Sequence, residues 1–166
     1  MNITQLVFSW PREAQYSCEP ETYQGWAIED YDFEMSGVAL AVGDVRSWEG
    51  HQWTVTQVED YAPIDGSDHA FNVAVLTLDG QVPQRDPWEG TGQRLMYVCL
   101  SPDDVLFGIP EHPEALPEVG NEVHGMPGWI ASTVREFEPS ASSTYDQVLV
   151  FWCAAAVLDR PHPIAA

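Results

Sequence analysis

Lysine is absent from this chain. Its six basic residues are all arginines: Arg12, Arg46, Arg85, Arg94, Arg135 and Arg160. Set against 26 Asp and Glu, they leave a formal net charge of −20. Affinity for nucleic acid comes mainly from cations that neutralise phosphates, so the composition argues against a nucleic-acid partner. It argues against an anionic membrane surface for the same reason. Cysteine is scarce and odd in number. Cys18, Cys99 and Cys153 fall in no CxxC or Cys/His zinc spacing, which argues against a disulfide scaffold or a zinc finger. No apolar run approaches the roughly 20 residues of a membrane helix. The start, MNITQLVFSWPRE, lacks the basic head and long apolar stretch of a secretory signal. The expected setting is therefore the reducing cytoplasm. No long segment repeats at the helical period, leaving single turns near 102–105 and 113–119 as the only helical candidates.

Apolar and aromatic residues are plentiful. The hydrophobic fraction is 45%, with seven Trp, six Tyr and six Phe, enough to close a core and exclude general disorder. The expectation is one compact unit over 1–166 with a flexible tail at 159–166. Its class is all-β: a small barrel or sandwich made of two similar meander halves, with the SH3-like barrel as the nearest architecture.

The case for two halves is a repeat. VGDVRSWEGHQWTVTQVEDYAP at 42–63 aligns with VGNEVHGMPGWIASTVREFEP at 119–139. Gly43 matches Gly120, Trp53 matches Trp129, Val58 matches Val134, Tyr61 matches Phe137 and Pro63 matches Pro139. An apolar return strand follows each, 73–76 and 148–151. The first repeat spans 37–80, the second 94–158, with a loop at 81–93 between them. In the first, the order is strand Val45–Trp48, turn Glu49-Gly50, long strand Trp53–Tyr61 and return Phe71–Leu78. In the second it is a short strand at Val123-His124, a GMPG turn, long strand Trp129–Phe137 and return Gln147–Cys153. Val58 has the wrong parity to share a face with Trp53 and Val55, so a β-bulge is expected between Val55 and Val58, and another at the same place in the second long strand. Further strands are expected at Thr4–Ser9, Gly25–Ile28, Val38–Val42, Arg94–Leu100 and Val105–Ile109, the last two as a hairpin.

Functional candidates are few. The chain has no catalytic motif and no cofactor fingerprint, so the reading leans away from an enzyme. Glu111, His112, Glu114, Glu118, Glu122 and His124 lie in one loop, 111–128, and their imidazoles and carboxylates suit a divalent transition metal. The opposing reading is a solvated acidic loop whose prolines fix its path. Asp65, Asp68 and His69 form a second polar cluster, read either as a Ca²⁺ loop or as an Asx-turn between strands. Trp53 and Trp129 recur in both halves and are assigned to the core, while Trp152 is expected on an outer face. Cys99 and Cys153, inside apolar runs, are expected to be buried. Trp48 and Trp88 sit beside turns, and with Arg85, Glu122 and His124 they form the expected binding surface in a groove between the halves. Three functions follow in order: a non-enzymatic interaction or regulatory module for a protein partner with a basic surface; a metal- or small-ligand-binding protein using the His/Glu loop; and a carbohydrate-binding protein using exposed tryptophans.

Overall fold

A computed structural model describes residues 1–11, 29–83, 93–100, 105–108, 118–123, 127–140 and 144–155. Every regular element among them is a strand, so the all-β expectation holds. Among the described residues no helix is long and apolar enough to cross a membrane. The chain divides into two compact units, Met1–Gln93 with Phe137–Gln147, and Arg94–Glu136 with Val148–Ala166.

In the first unit the strands are β1 (Asn2–Ser9), β2 (Glu29–Ser36), β3 (Val45–Trp48), β4 (His51–Pro63) and β5 (Ala70–Thr77). They run in the order β2-β1-β5-β4, with β3 paired to β4. The expected meander β3-β4-β5 is present and antiparallel throughout. Its first turn is Glu49-Gly50, with φ of 49° and 75°. Positive φ at both central residues is the hairpin geometry that matches the strand twist, and glycine at the second supplies it without strain. A meander alone does not lead to the next pairing: β1 joins β5 in parallel, Leu6 beside Ala74 and Phe8 beside Leu76. This central pair is buried on both faces, from Ile3 to Ser9 and from Phe71 to Thr77, as parallel strands generally are. Its near-continuous apolar sequence follows from that burial.

The bulge in β4 is where the sequence placed it. Val55 pairs with Leu76 and Gln57 with Val75, leaving Thr56 as the extra residue. Thr56 donates its hydroxyl to the Val75 carbonyl at 3.2 Å, so the polar atom of this buried residue is satisfied. Val55 and Val58 then face the same side. They pack with Leu6, Phe8, Leu40, Trp53, Ala74 and Leu76 in one core. Beyond the bulge Tyr61 pairs with Phe71 and faces the other side, where its ring meets Phe71 at 5.6 Å and Tyr145 at 6.3 Å. One extra residue therefore lets β4 serve both cores of a two-faced sheet.

A polar latch closes the second face. Gln5 is fully buried; its amide Nε2 donates to the Tyr145 hydroxyl at 3.1 Å, and that hydroxyl donates to Gln5 Oε1 at 3.3 Å. The Tyr145 backbone N–H donates to the Tyr61 hydroxyl at 3.1 Å, and Tyr61 donates to Glu59 at 2.9 Å. Glu59 also accepts from the Thr144 N–H at 3.1 Å and the Thr144 hydroxyl at 2.7 Å. The Phe137–Gln147 segment is also held by strand pairing, Pro63 with Phe137 and Tyr61 with Pro139.

In the second unit the order is β8 (Trp129–Pro139), β9 (Gln147–Ala155), β6 (Gln93–Leu100), β7 (Val105–Gly108). The β6–β7 hairpin pairs Leu100 with Val105, as the sequence predicts. Tyr97, Cys99, Val123, Ala131, Phe151 and Cys153 form its core, with Trp129 and Leu149 packed against it.

Several expectations need correction. The strand expected at Val38–Val42 is a bend and a turn: Val38 and Val42 are exposed and only Leu40 reaches the core. The strand at Gly25–Ile28 lies outside the described residues, and β2 occupies Glu29–Ser36 instead. The short strand at Val123-His124 reduces to one bridge, Glu122 to Ile130. Trp152, expected on an outer face, is 8% exposed and belongs to the buried set. Val134 is 45% exposed, so the inward place expected from its match with Val58 is not kept.

Candidate functional site

The most distinctive surface of the first unit is one the sequence reading passed over. β2 reads Glu29-Asp30-Tyr31-Asp32-Phe33-Glu34-Met35-Ser36, and its only neighbour among the described strands is β1. The register sets Asp30 beside Phe8, Asp32 beside Leu6 and Glu34 beside Thr4. Side chains alternate along a strand, so these three carboxylates share one face while Tyr31, Phe33 and Met35 share the other. Neighbouring carboxylates in the row stand about 7 Å apart, twice the rise per residue. At the dielectric of water each neighbouring pair repels by about 0.6 kcal/mol.

Two groups from the same face partly compensate this charge. Arg46 on β3 holds Glu34 through Nη2 at 3.0 Å and Nε at 3.2 Å. Glu34 and burial act oppositely on this guanidinium; the hydrogen bond to Glu34 dominates and raises its pKa. Trp10 donates its indole N–H to Asp30 at 2.7 Å. Asp32 accepts the Phe33 backbone N–H at 2.8 Å and remains exposed.

The Asp30 end of the row adjoins an aromatic cluster. Trp48 stacks on Phe8 with ring centres 4.2 Å apart and planes 7° from parallel. Trp53, fully buried, meets Phe8 edge-on at 5.1 Å and Trp10 at 4.8 Å, and donates its N–H to the Trp48 carbonyl at 3.0 Å. His51 meets Trp10 edge-on at 5.7 Å and is exposed. Trp10 and Trp48 are half-buried, so each presents part of its ring to solvent. One Trp48 face is stacked on Phe8, and Trp10 lies tilted against the same indole at 6.2 Å. Carboxylates lie beside these rings, and an aromatic face attracts a cation.

The residues singled out from sequence are distributed otherwise. Trp48 is in this cluster. Glu122 is exposed and forms the bridge to Ile130 in the second unit. Trp88, Arg85, His124, His112, Glu111 and Glu114 lie outside the described residues. Glu118 is exposed. Asp65 accepts the Ser67 N–H at 3.0 Å, which is the Asx-turn geometry, and Asp68 gives its carbonyl to the terminal ammonium of Met1 at 3.3 Å. No group of three metal-ligating side chains occurs among the described residues. The signal that could have found β2 was its strict alternation of acid and apolar residues from Asp30 to Met35. Asp and Glu are poor strand formers, and that preference hid the period. Comparison with protein-family models, with curated proteins and with solved structures finds no match to this chain.

Proposed function

We propose that this chain is a non-enzymatic, cytoplasmic interaction module that takes a basic, extended segment of a protein partner along β2. The observation carrying this reading is the row Asp30, Asp32 and Glu34 on one face of β2, ending at the half-buried Trp10 and Trp48. Among the described strands β2 has β1 alone as its neighbour, and a partner strand adds to the outer side of a sheet by main-chain hydrogen bonds. Alternate Arg or Lys side chains on such a strand recur at the same roughly 7 Å period as the carboxylates, and the first of them reaches the Trp10 and Trp48 rings, whose faces attract a cation.

The same reading includes descent of the two halves from one duplicated β unit of the small-barrel type. A shared hydrogen-bond pattern supports it. Gly43 N–H donates to the Val55 carbonyl at 2.9 Å, and Gly120 N–H to the Ala131 carbonyl at 2.7 Å. Val55 N–H returns to Asp44 at 2.8 Å, and Ala131 N–H to Asn121 at 3.1 Å. Both glycines have the same positive φ, 98° and 96°. Ser132 donates to the Trp152 carbonyl at 2.9 Å, as Thr56 does to its own return strand.

The test is a titration with an extended peptide carrying Arg at alternate positions, followed by tryptophan emission at low and physiological salt. Binding that weakens with salt, and at least tenfold further in Asp30→Asn/Asp32→Asn/Glu34→Gln, is expected. Equal affinity for a peptide with Gln in place of Arg would overturn the proposal.

A further inference from the structure

The second unit holds a pair of thiols that the interaction surface does not use. Cys99 on β6 and Cys153 on β9 sit on neighbouring strands and in the same buried cluster, at 0% and 2% exposure. The two thiols are near enough to perturb each other. The Cys153 thiol also meets the Phe151 carbonyl at 3.5 Å. Neither cysteine is in a disulfide. Neighbouring strands place facing Cα atoms about 4.5–5.5 Å apart, inside the span a disulfide bridges.

We propose that Cys99 and Cys153 form a reversible redox site, closing to a disulfide that staples β6 to β9 when the protein meets a low-molecular-weight disulfide. One cysteine loses its proton to solvent and its thiolate attacks a sulfur of the small disulfide. That S–S bond breaks, and a small thiolate leaves and takes up a proton. The second cysteine, deprotonated in turn, attacks the mixed disulfide and expels a second small thiol. Two protein thiols are oxidised and one small disulfide is reduced to two thiols, so electrons and atoms balance. Burial pushes the Cys153 thiol up to about 12, with the neighbouring Cys99 adding to the shift, and burial raises Cys99 as well. The thiolate is the nucleophile, so the closed native pair reacts slowly, and oxidation proceeds through local opening of the strands.

The experiment uses the full chain carrying Cys18→Ser, incubated natively with excess oxidised glutathione and read by intact mass and by proteolytic mapping. The expected product has lost two hydrogens, carries no glutathione and yields a peptide joining Cys99 to Cys153. Its melting temperature is higher by roughly 5–15 °C, the effect of cross-linking a loop of about 54 residues. Dithiothreitol restores the starting mass and melting point. Thiols that stay reduced, separate glutathione adducts that never close, or cross-linked dimers would each overturn the proposal. If Cys18→Ser fails to fold, the wild-type chain is mapped instead, and a Cys18-containing bridge counts against the assignment.

Discussion

The latch on the second face of the first unit allows a stringent test of the described packing. Gln5 and Tyr145 are 0% and 2% exposed, and each is a hydrogen-bond partner of the other. Tyr145→Phe removes the hydroxyl and takes a partner from a fully buried amide, a cost of about 1–3 kcal/mol. Gln5→Leu removes the amide and takes the same contact from the hydroxyl, with a similar cost. Replacing both removes the two polar groups of the contact together, which folding tolerates better than removing one of them. The double variant is therefore expected to lose less than the two single losses added together, with a coupling of about 1–2 kcal/mol. Urea unfolding of the four proteins, compared at constant m-value, measures it. Additivity within about 0.5 kcal/mol would refute the contact, because independent sites add to that accuracy.

Two further predictions rest on separate features. Gly43 and Gly120 have φ of 98° and 96°, and open space surrounds the position of a Cβ at each. Gly43→Ala and Gly120→Ala should each cost about 1–3 kcal/mol from backbone strain alone; equal losses in denaturant melts fit the shared geometry, and an unchanged midpoint in either refutes it. The second concerns alkaline stability. Cys153 has its thiol held up at about 12 by burial, so the unfolded chain loses this proton first as pH rises past the ordinary thiol range. Its contribution is fully present below about 8.5 and is lost as pH climbs towards 12, at up to about 1.4 kcal/mol per pH unit. Melts under reducing agent from pH 9.5 to 10.5 should show a steeper loss for wild type than for Cys153→Ala, and parallel slopes would refute it.

The sequence was most legible where period and turn chemistry agreed. β3, the Glu49-Gly50 turn, β4 and its bulge could be read because glycine marks the turn and Val58 breaks the parity. The β6–β7 hairpin could be read from two apolar runs around a polar turn. The parallel β1/β5 pairing was hidden, because burial on both faces erases the alternation that reveals a strand's partner. β2 was hidden by acids, which disfavour strands in isolation. Val38–Val42 misled because five consecutive apolar residues looked like a strand, whereas only Leu40 is buried. The latch left no mark at all, since Gln5 and Tyr145 stand 140 residues apart.

The acidic row on β2 bears on two opposed liabilities of an edge strand. An eight-residue strand with one neighbour among the described strands and apolar residues on one face invites pairing with a second copy of itself. A second copy would bring its own carboxylates against Asp30, Asp32 and Glu34, and like charges set directly opposite destabilise a strand pair. A basic strand meets the same row with the opposite sign. One set of side chains would therefore oppose pairing of β2 with a second copy and favour the proposed partner. It follows that Asp30→Asn/Asp32→Asn/Glu34→Gln should do two things together: weaken the Arg-bearing peptide and gain a concentration-dependent increase in hydrodynamic size. Sedimentation velocity over a hundredfold range of concentration measures the second effect. A variant that loses the peptide yet stays monomeric would separate the two roles and leave the row with recognition alone. A variant that self-associates yet binds the peptide as before would leave it guarding the edge, and the proposed docking strand would fall.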